Sequence, residues 1–171
     1  MKYNRRLFKF NSARARRTLS ERGYPLLDKY NGRFVFKSHQ WHVEHVLPLK
    51  TAWDAGFKQQ FERGDISTMM RMQKFANDMD NLIVVSGGSN MSRGSKTLWE
   101  WSPLNLAYIP ERNRIIRLMA DRYGLELTTL QQWSMDFADK AILGRHKNGL
   151  HLGRVRSWLI ERGFYRLLLP F

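Results

Sequence analysis

The chain has no cysteine at all. That excludes disulfides and thiolate zinc sites, and it leaves the redox compartment open. Nowhere does it run to about 18 apolar residues in succession, so the sequence predicts no membrane-spanning helix. The basic N-terminus is not followed by an apolar stretch and a small-residue cleavage site, which argues against a secretory signal. A cytoplasmic location is the resulting expectation. An Arg-rich, acid-poor start of this kind suits a mitochondrial address and a DNA-contacting arm equally. Acidic residues are also scarce: 15 Asp and Glu stand against 29 Lys and Arg, for a net charge of +14. A surplus of this size predicts a polyanionic partner.

What is present divides unevenly along 171 residues. Residues 1–37 hold 11 Lys/Arg and 2 Asp/Glu, residues 38–110 hold 7 of each, and residues 111–171 hold 11 and 6. Two basic flanks therefore enclose a neutral middle, as expected if the flanks grip phosphates while the middle does chemistry. With 43% hydrophobic and 13% aromatic residues the chain can bury one core. The reading is a single domain, α+β and mostly helical, with a basic arm (1–37), a core segment (38–110) and a basic helical part (111–171).

Local signals place the elements. Asn11 or Ser12 caps a helix to about Arg22, stopped by Gly23. Residues 32–36 and 41–46 read as short strands. Helices are expected over 51–61 and 66–76, then a brief buried strand over 82–85 ending in the turn Ser86-Gly87-Gly88-Ser89. Asn90 or Ser92 opens a helix to about Trp101. Pro110 suits the first turn of a helix ending at Tyr123 before Gly124. Further helices are expected from Thr128 or Thr129 to Leu143 and from Arg154 to Arg162. Met69, Met70, Met72 and Phe75 read as one core-packing face. A weak internal echo relates Arg14–Gly23 to Arg154–Gly163, two short Arg-bearing helices each stopped by glycine.

Three separated segments carry the chemistry. They are His42-Val43-Glu44-His45-Val46-Leu47-Pro48-Leu49, then Asn77-Asp78-Met79-Asp80-Asn81-Leu82, then Gly87-Gly88-Ser89-Asn90-Met91-Ser92-Arg93-Gly94. Phosphodiester cleavage needs an activated water and neutralisation of charge on the phosphoryl oxygens. A neutral imidazole can take the water's proton, and His45 is the candidate. If the segment is extended, the neighbouring Glu44 side chain points the opposite way.

Together, and in this order, the segments resemble the HNH, or His-Me finger, nucleases, over roughly residues 41–130. The likeness is to domains of pattern (D/E)HVxPLxxAWxxG…FANDxDNL…NxS(K/R)G. The resemblance implies a ββα-metal finger, with His45 as general base and Glu44 as metal ligand. It implies Asn90 as a second ligand. Asparagine there, where family members often have histidine, suits an oxygen-preferring Mg²⁺ (Mn²⁺ as substitute) better than Zn²⁺. Asn81 corresponds to the asparagine that ties the finger together and orients the histidine. Arg93, one helical turn past Asn90, is expected to reach the scissile phosphate. His42 is an optional further ligand or substrate contact, whereas His39, His146 and His151 read as structural or surface groups. Trp53, Trp99 and Trp101 read as core.

Outside the site, Arg14, Arg16 and Arg17 with Arg154 and Arg156 are the expected phosphate contacts. The expected partner is double-stranded DNA, with RNA as the other polyanion. Two rivals keep the scaffold: a basic nucleic-acid-binding protein on a degenerate nuclease fold, and a toxin-type nuclease effector. His42-Val43-Glu44-His45 is not a zincin motif, because the glutamate is misplaced, and Gly88 and Gly94 make no P-loop.

Overall fold

The computed structural model describes residues 1–94 and 103–148. Asn11 starts the first helix: its side chain accepts the Arg14 amide at 2.9 Å, and α1 (Ser12–Ser20) follows with Ala15 and Leu19 buried. Strand β1 (Leu26–Leu27) then pairs antiparallel with β2 (Phe34–Val35). Only β2 is anticipated from sequence, and over a longer span. A two-residue strand such as β1 is too short for alternation to reveal.

β3 (Trp41–His45) leads into α2 (Leu49–Ala52), a wide π-type turn over Trp53–Phe57, and α3 (Lys58–Glu62). The single helix expected over 51–61 is thus broken near Gly56. There the backbone closes on a neighbouring turn: a Cβ would stand 3.3 Å from Leu125 Cδ2 and 3.4 Å from the Gly124 carbonyl oxygen. In α4 (Ser67–Ala76) the spacing of Thr68, Met72, Phe75 and Ala76 defines the buried face. Met69 and Met70 fall off it, 39% and 61% exposed, which corrects the expectation that all three methionines pack inward.

β4 (Leu82–Ser86) returns antiparallel to β3, with His42 opposite Val85, Glu44 opposite Ile83 and His45 opposite Leu82. Directly after it comes α5 (Gly87–Arg93), then α6 (Ile109–Tyr123) and α7 (Thr129–Asn148). The architecture is α+β and mostly helical, with two small antiparallel sheets. No described helix is long and apolar enough to cross a membrane. The helix expected over 154–162, and with it the second half of the internal echo, lies outside the described residues.

The β3–β4 pair separates two apolar clusters. Ile83 and Val85 join the larger one, among Phe8, Trp53, Phe57, Met72 and Phe75. Trp41 and Val84 join the smaller, with Leu19, Leu26 and Val35. Phe75 centres the larger cluster, edge-on to Phe57 at 5.6 Å and to Tyr123 at 5.2 Å. Each such pair adds ~0.5–1.5 kcal/mol beyond area burial. The strand carrying the candidate residues is therefore clamped from both faces.

Candidate active site

Alternation along β3 sends Glu44 and His45 to opposite faces. On the Glu44 side lies α5. Arg93, in its last turn, places Nη1 2.6 Å from Glu44 Oε1, 3.2 Å from the Tyr30 hydroxyl and 3.5 Å from the His45 carbonyl oxygen. Arg93 was expected to reach outward to a phosphate. It is instead only 4% exposed and turned inward onto Glu44, because Tyr30 and the end of β3 enclose its guanidinium. Its Nε–H is buried without an acceptor. Asn90 sits one turn earlier on α5, half-buried, and its side chain makes no hydrogen bond among the described residues. It lies inside the helix and is not the cap; Ser86 is, accepting the Ser89 amide at 3.2 Å. His42, exposed, shares the Glu44 face.

His45 is 4% exposed. Its Nε2 lies 2.9 Å from the Ala76 carbonyl. A carbonyl only accepts, so Nε2 carries the proton and Nδ1 keeps its lone pair. Phe10 stands edge-on to the imidazole with centroids 4.6 Å apart. Burial, reinforced by the charges of Arg5 and Arg93 and only partly offset by the Ala76 hydrogen bond, pulls the pKa from 6.5 down to about 4.

This has a consequence for stability. The unfolded histidine takes up a proton near 6.5, whereas the folded one stays neutral until about pH 4. Neutral His45 thus contributes stability that is complete above pH 6.5 and is lost as pH falls toward 4. The gap is worth ~3 kcal/mol. Urea unfolding at pH 7 and pH 4 should show the wild type losing ~3 kcal/mol more than His45→Gln. Equal losses would contradict the buried neutral ring.

The segment Phe75 to Leu82 does more than its sequence suggests. Asn81 is fully buried; Oδ1 accepts the Leu47 amide at 2.8 Å and Nδ2 donates to the Leu47 carbonyl at 3.1 Å. It thereby holds the chain just past His45 against the start of β4. Ala76 positions the imidazole, and Asn77 beside it fastens the N-terminal arm, accepting the Asn11 amide at 2.9 Å and donating to the Lys9 carbonyl at 3.3 Å. Asp78 pins α6 through Arg122 at 2.7 Å and the Tyr123 hydroxyl at 2.9 Å.

Asp28 is the residue sequence reasoning missed most completely. It is fully buried and accepts from the Tyr30 amide (2.8 Å), the Ser86 amide (2.9 Å) and the Ser89 hydroxyl (2.7 Å). Asn31 donates to the Ser86 and Ser89 hydroxyls at 3.3 and 3.1 Å. The β1–β2 loop therefore sets where α5 begins, three residues before Asn90. A turn signal of two glycines hides this, since the stabilising carboxylate is 58 residues away. Tyr30, in the same loop, is buried, and that burial pushes its pKa up to about 12.

Of the expected phosphate contacts, Arg14 and Arg17 are exposed on α1. Arg16 is half-buried and stacks on Trp41 at 4.3 Å. Arg154 and Arg156 lie outside the described residues, as do Trp99, Trp101, His151 and the His146 side chain. Trp53 is core, 1% exposed, and His39 is exposed. Among the described residues no cluster of three His, Cys, Asp or Glu could cage a metal. Any ion here would have to rely on Glu44, the Asn90 amide and water. A groove of about 510 Å³ lies elsewhere, between α1, β1 and α6, and none of the candidate residues lines it.

No family model matches the chain, and no solved structure matches it. It is similar to a protein of Arthroderma benhamiae described as an uncharacterized secreted protein, 27% identical over 105 residues. The match covers 60% of this chain, which spans about half (48%) of that relative's length. A secreted relative points outside the cell and overturns the expectation of a cytoplasmic location; a chain without cysteine has nothing to lose in an oxidising exterior.

Proposed function

We propose that this protein is a secreted, metal-dependent endonuclease that hydrolyses phosphodiester bonds in DNA. The observation that carries the proposal is that the end of β3 holds Glu44 and His45 side by side in the chain, with α5 and Asn90 packed along the Glu44 side. Glu44 faces α5, which carries Asn90, whose amide makes no hydrogen bond among the described residues, while His45 follows Glu44 directly, with Nε2–H donated to Ala76 and Nδ1 keeping its lone pair. Arg93 touches both the Glu44 carboxylate and the His45 backbone carbonyl, which ties α5 to this strand end. Among the described residues β3 pairs with β4 alone. A net charge of +14 supplies the attraction for a polyanion.

The donor set suits a hard cation. A carboxylate and an amide oxygen, with water and a substrate phosphate completing the shell, would suit Mg²⁺, and β3, β4 and α5 would then act as a ββα-metal finger. When bound, the ion would offset charge building on the phosphoryl oxygens. His45 would take a proton from water at Nδ1. Ala76 fixes its tautomer and Asn81 fixes the backbone that follows it. Because an imidazolium cannot accept a proton, the acid limb of activity should lie near the depressed histidine pKa of about 4 in the free protein, well below 6.5.

One observation favours the rival reading of a binding protein on a nuclease scaffold: Arg93 already neutralises Glu44. Titrating the protein with Mn²⁺ in a calorimeter separates the two. The nuclease reading expects one bound ion, weakened at least tenfold by Glu44→Gln and by Asn90→Ala. No binding by wild type, or binding untouched by both substitutions, favours the rival.

Backbone-led DNA binding gives a further expectation. Each phosphate neutralised contributes about −0.9 to the log–log salt slope on duplex DNA. Replacing Arg14, Arg16 and Arg17 by Ala should weaken affinity for all sequences alike and flatten that slope. A slope that does not change would assign the arm another role.

A further inference from the structure

The β1–β2 hairpin turns its outer face to solvent with an unusual composition. Phe34 is 58% exposed and Phe36 65%, while Val35 between them is buried against Leu19, Leu26 and Trp41. Leu27, opposite Phe34, and Tyr24 extend the apolar face. The two rings are bracketed by Arg33 and Lys37, both exposed and neither in an ion pair among the described residues. No carboxylate lies in sequence between Asp28 and Glu44.

We propose that Phe34 and Phe36, with Arg33 and Lys37, form a stacking platform for the bases of single-stranded nucleic acid. Exposing two phenylalanines is unfavourable unless something covers them. Alternate residues of an extended chain lie about 6.6 Å apart on one face, so Phe34 and Phe36 stand side by side on the outer face. Bases stack on aromatic rings whatever their identity, and nearby cations track the backbone. An apolar protein partner would favour a patch whose centre lacks lysine and other charges; here cations flank each ring.

The platform leads directly into β3, the strand of the candidate active site. Gln40 Oε1 accepts the Phe36 and Lys37 amides at 3.4 and 3.3 Å, just before β3. Asp28, in the loop of the same hairpin, anchors the start of α5. A strand seated on the two rings would thus lie beside the elements that carry Glu44, His45 and Asn90. The proposal rests on the nucleic-acid part of the functional reading and needs no cleavage.

The test measures binding of labelled oligo-dT, and of a short mixed-sequence duplex, to the full chain in EDTA. Wild type should bind the single strand. Phe34→Ala/Phe36→Ala should lose at least tenfold, since stacking is worth ~1–3 kcal/mol per base, with the salt slope and duplex affinity unchanged. Phe34→Tyr/Phe36→Tyr should restore binding. Arg33→Ala/Lys37→Ala should instead flatten the salt slope. Both rings are exposed, so the variants should keep the wild-type unfolding midpoint. No single-strand binding by wild type, equal affinity of wild type and the alanine pair, or an equal loss on duplex overturns the proposal. Wild-type self-association that the alanine pair abolishes also overturns it, assigning the patch to a protein surface. Turnover is blocked in chelator, so failure of the nuclease reading and failure of the platform remain distinguishable.

Discussion

Replacing His45 by alanine should lower DNA cleavage by ~10²–10⁴ while leaving Mn²⁺ and DNA binding nearly intact. The ring sits at the end of β3, on the face away from Glu44, so its loss removes no oxygen donor. Ala76 holds the proton on Nε2, and only Nδ1 can serve as base. Truncating a buried ring also costs stability, so a second variant is needed. His45→Gln keeps a donor for the Ala76 carbonyl and much of the volume, and it should be equally inactive. Activity at the wild-type rate in either variant would remove His45 from the reaction. Loss of metal affinity alongside activity would show that the ring supports the ligands rather than acting as base.

Asp28→Ala should destabilise the fold by ~3–5 kcal/mol, among the largest effects of any single substitution here. The carboxylate is fully buried and accepts three hydrogen bonds from two segments of chain. Hydrogen bonds to a charged group contribute ~1.5–3 kcal/mol each and do not add fully. Alanine leaves the Tyr30 and Ser86 amides and the Ser89 hydroxyl without their acceptor. Because these groups define the start of α5, surviving protein should also present Asn90 poorly and bind Mn²⁺ weakly. Asp28→Asn, which keeps one acceptor, should cost less. Denaturant unfolding showing a loss below ~1 kcal/mol for the alanine variant would contradict this.

Much of the fold was legible because its signals are local. Asn11 as a cap, Pro110 in the first turn of α6 and Gly124 as its stop all work through nearest-neighbour geometry. The alternation of β3 and the apolar run of β4 were equally plain. What escaped depends on distant partners. The start of α5 is set by Asp28, and the break in the helix after Ala52 by contact with the Gly124–Leu125 turn. The methionines of α4 look alike by composition and differ by phase: of the three, Met72 alone keeps step with Phe75 and Ala76.

The candidate site was legible as a set of residues but not as a set of contacts. Glu44, His45, Asn81 and Asn90 stand out by type and order. That Arg93 would pair with Glu44 could not be read from a spacing of 49 residues, since it requires α5 to fold back along β3 with Tyr30 behind it. Nor does the sequence reveal that Asn77 and Ala76, adjacent in one turn, fasten the N-terminal arm and the imidazole respectively. Phe10, which covers His45, belongs to a segment that composition alone marks only as basic.

The most direct test incubates supercoiled plasmid with the purified protein in Mg²⁺, in Mn²⁺ and in excess EDTA, beside His45→Gln. Nicked, linear and then smeared DNA in either metal, and intact plasmid both in chelator and with His45→Gln, is the predicted outcome. Plasmid left intact by wild type in both metals, or cleavage that persists in EDTA or with His45→Gln, would contradict a metal-dependent nuclease built on Glu44, His45 and Asn90.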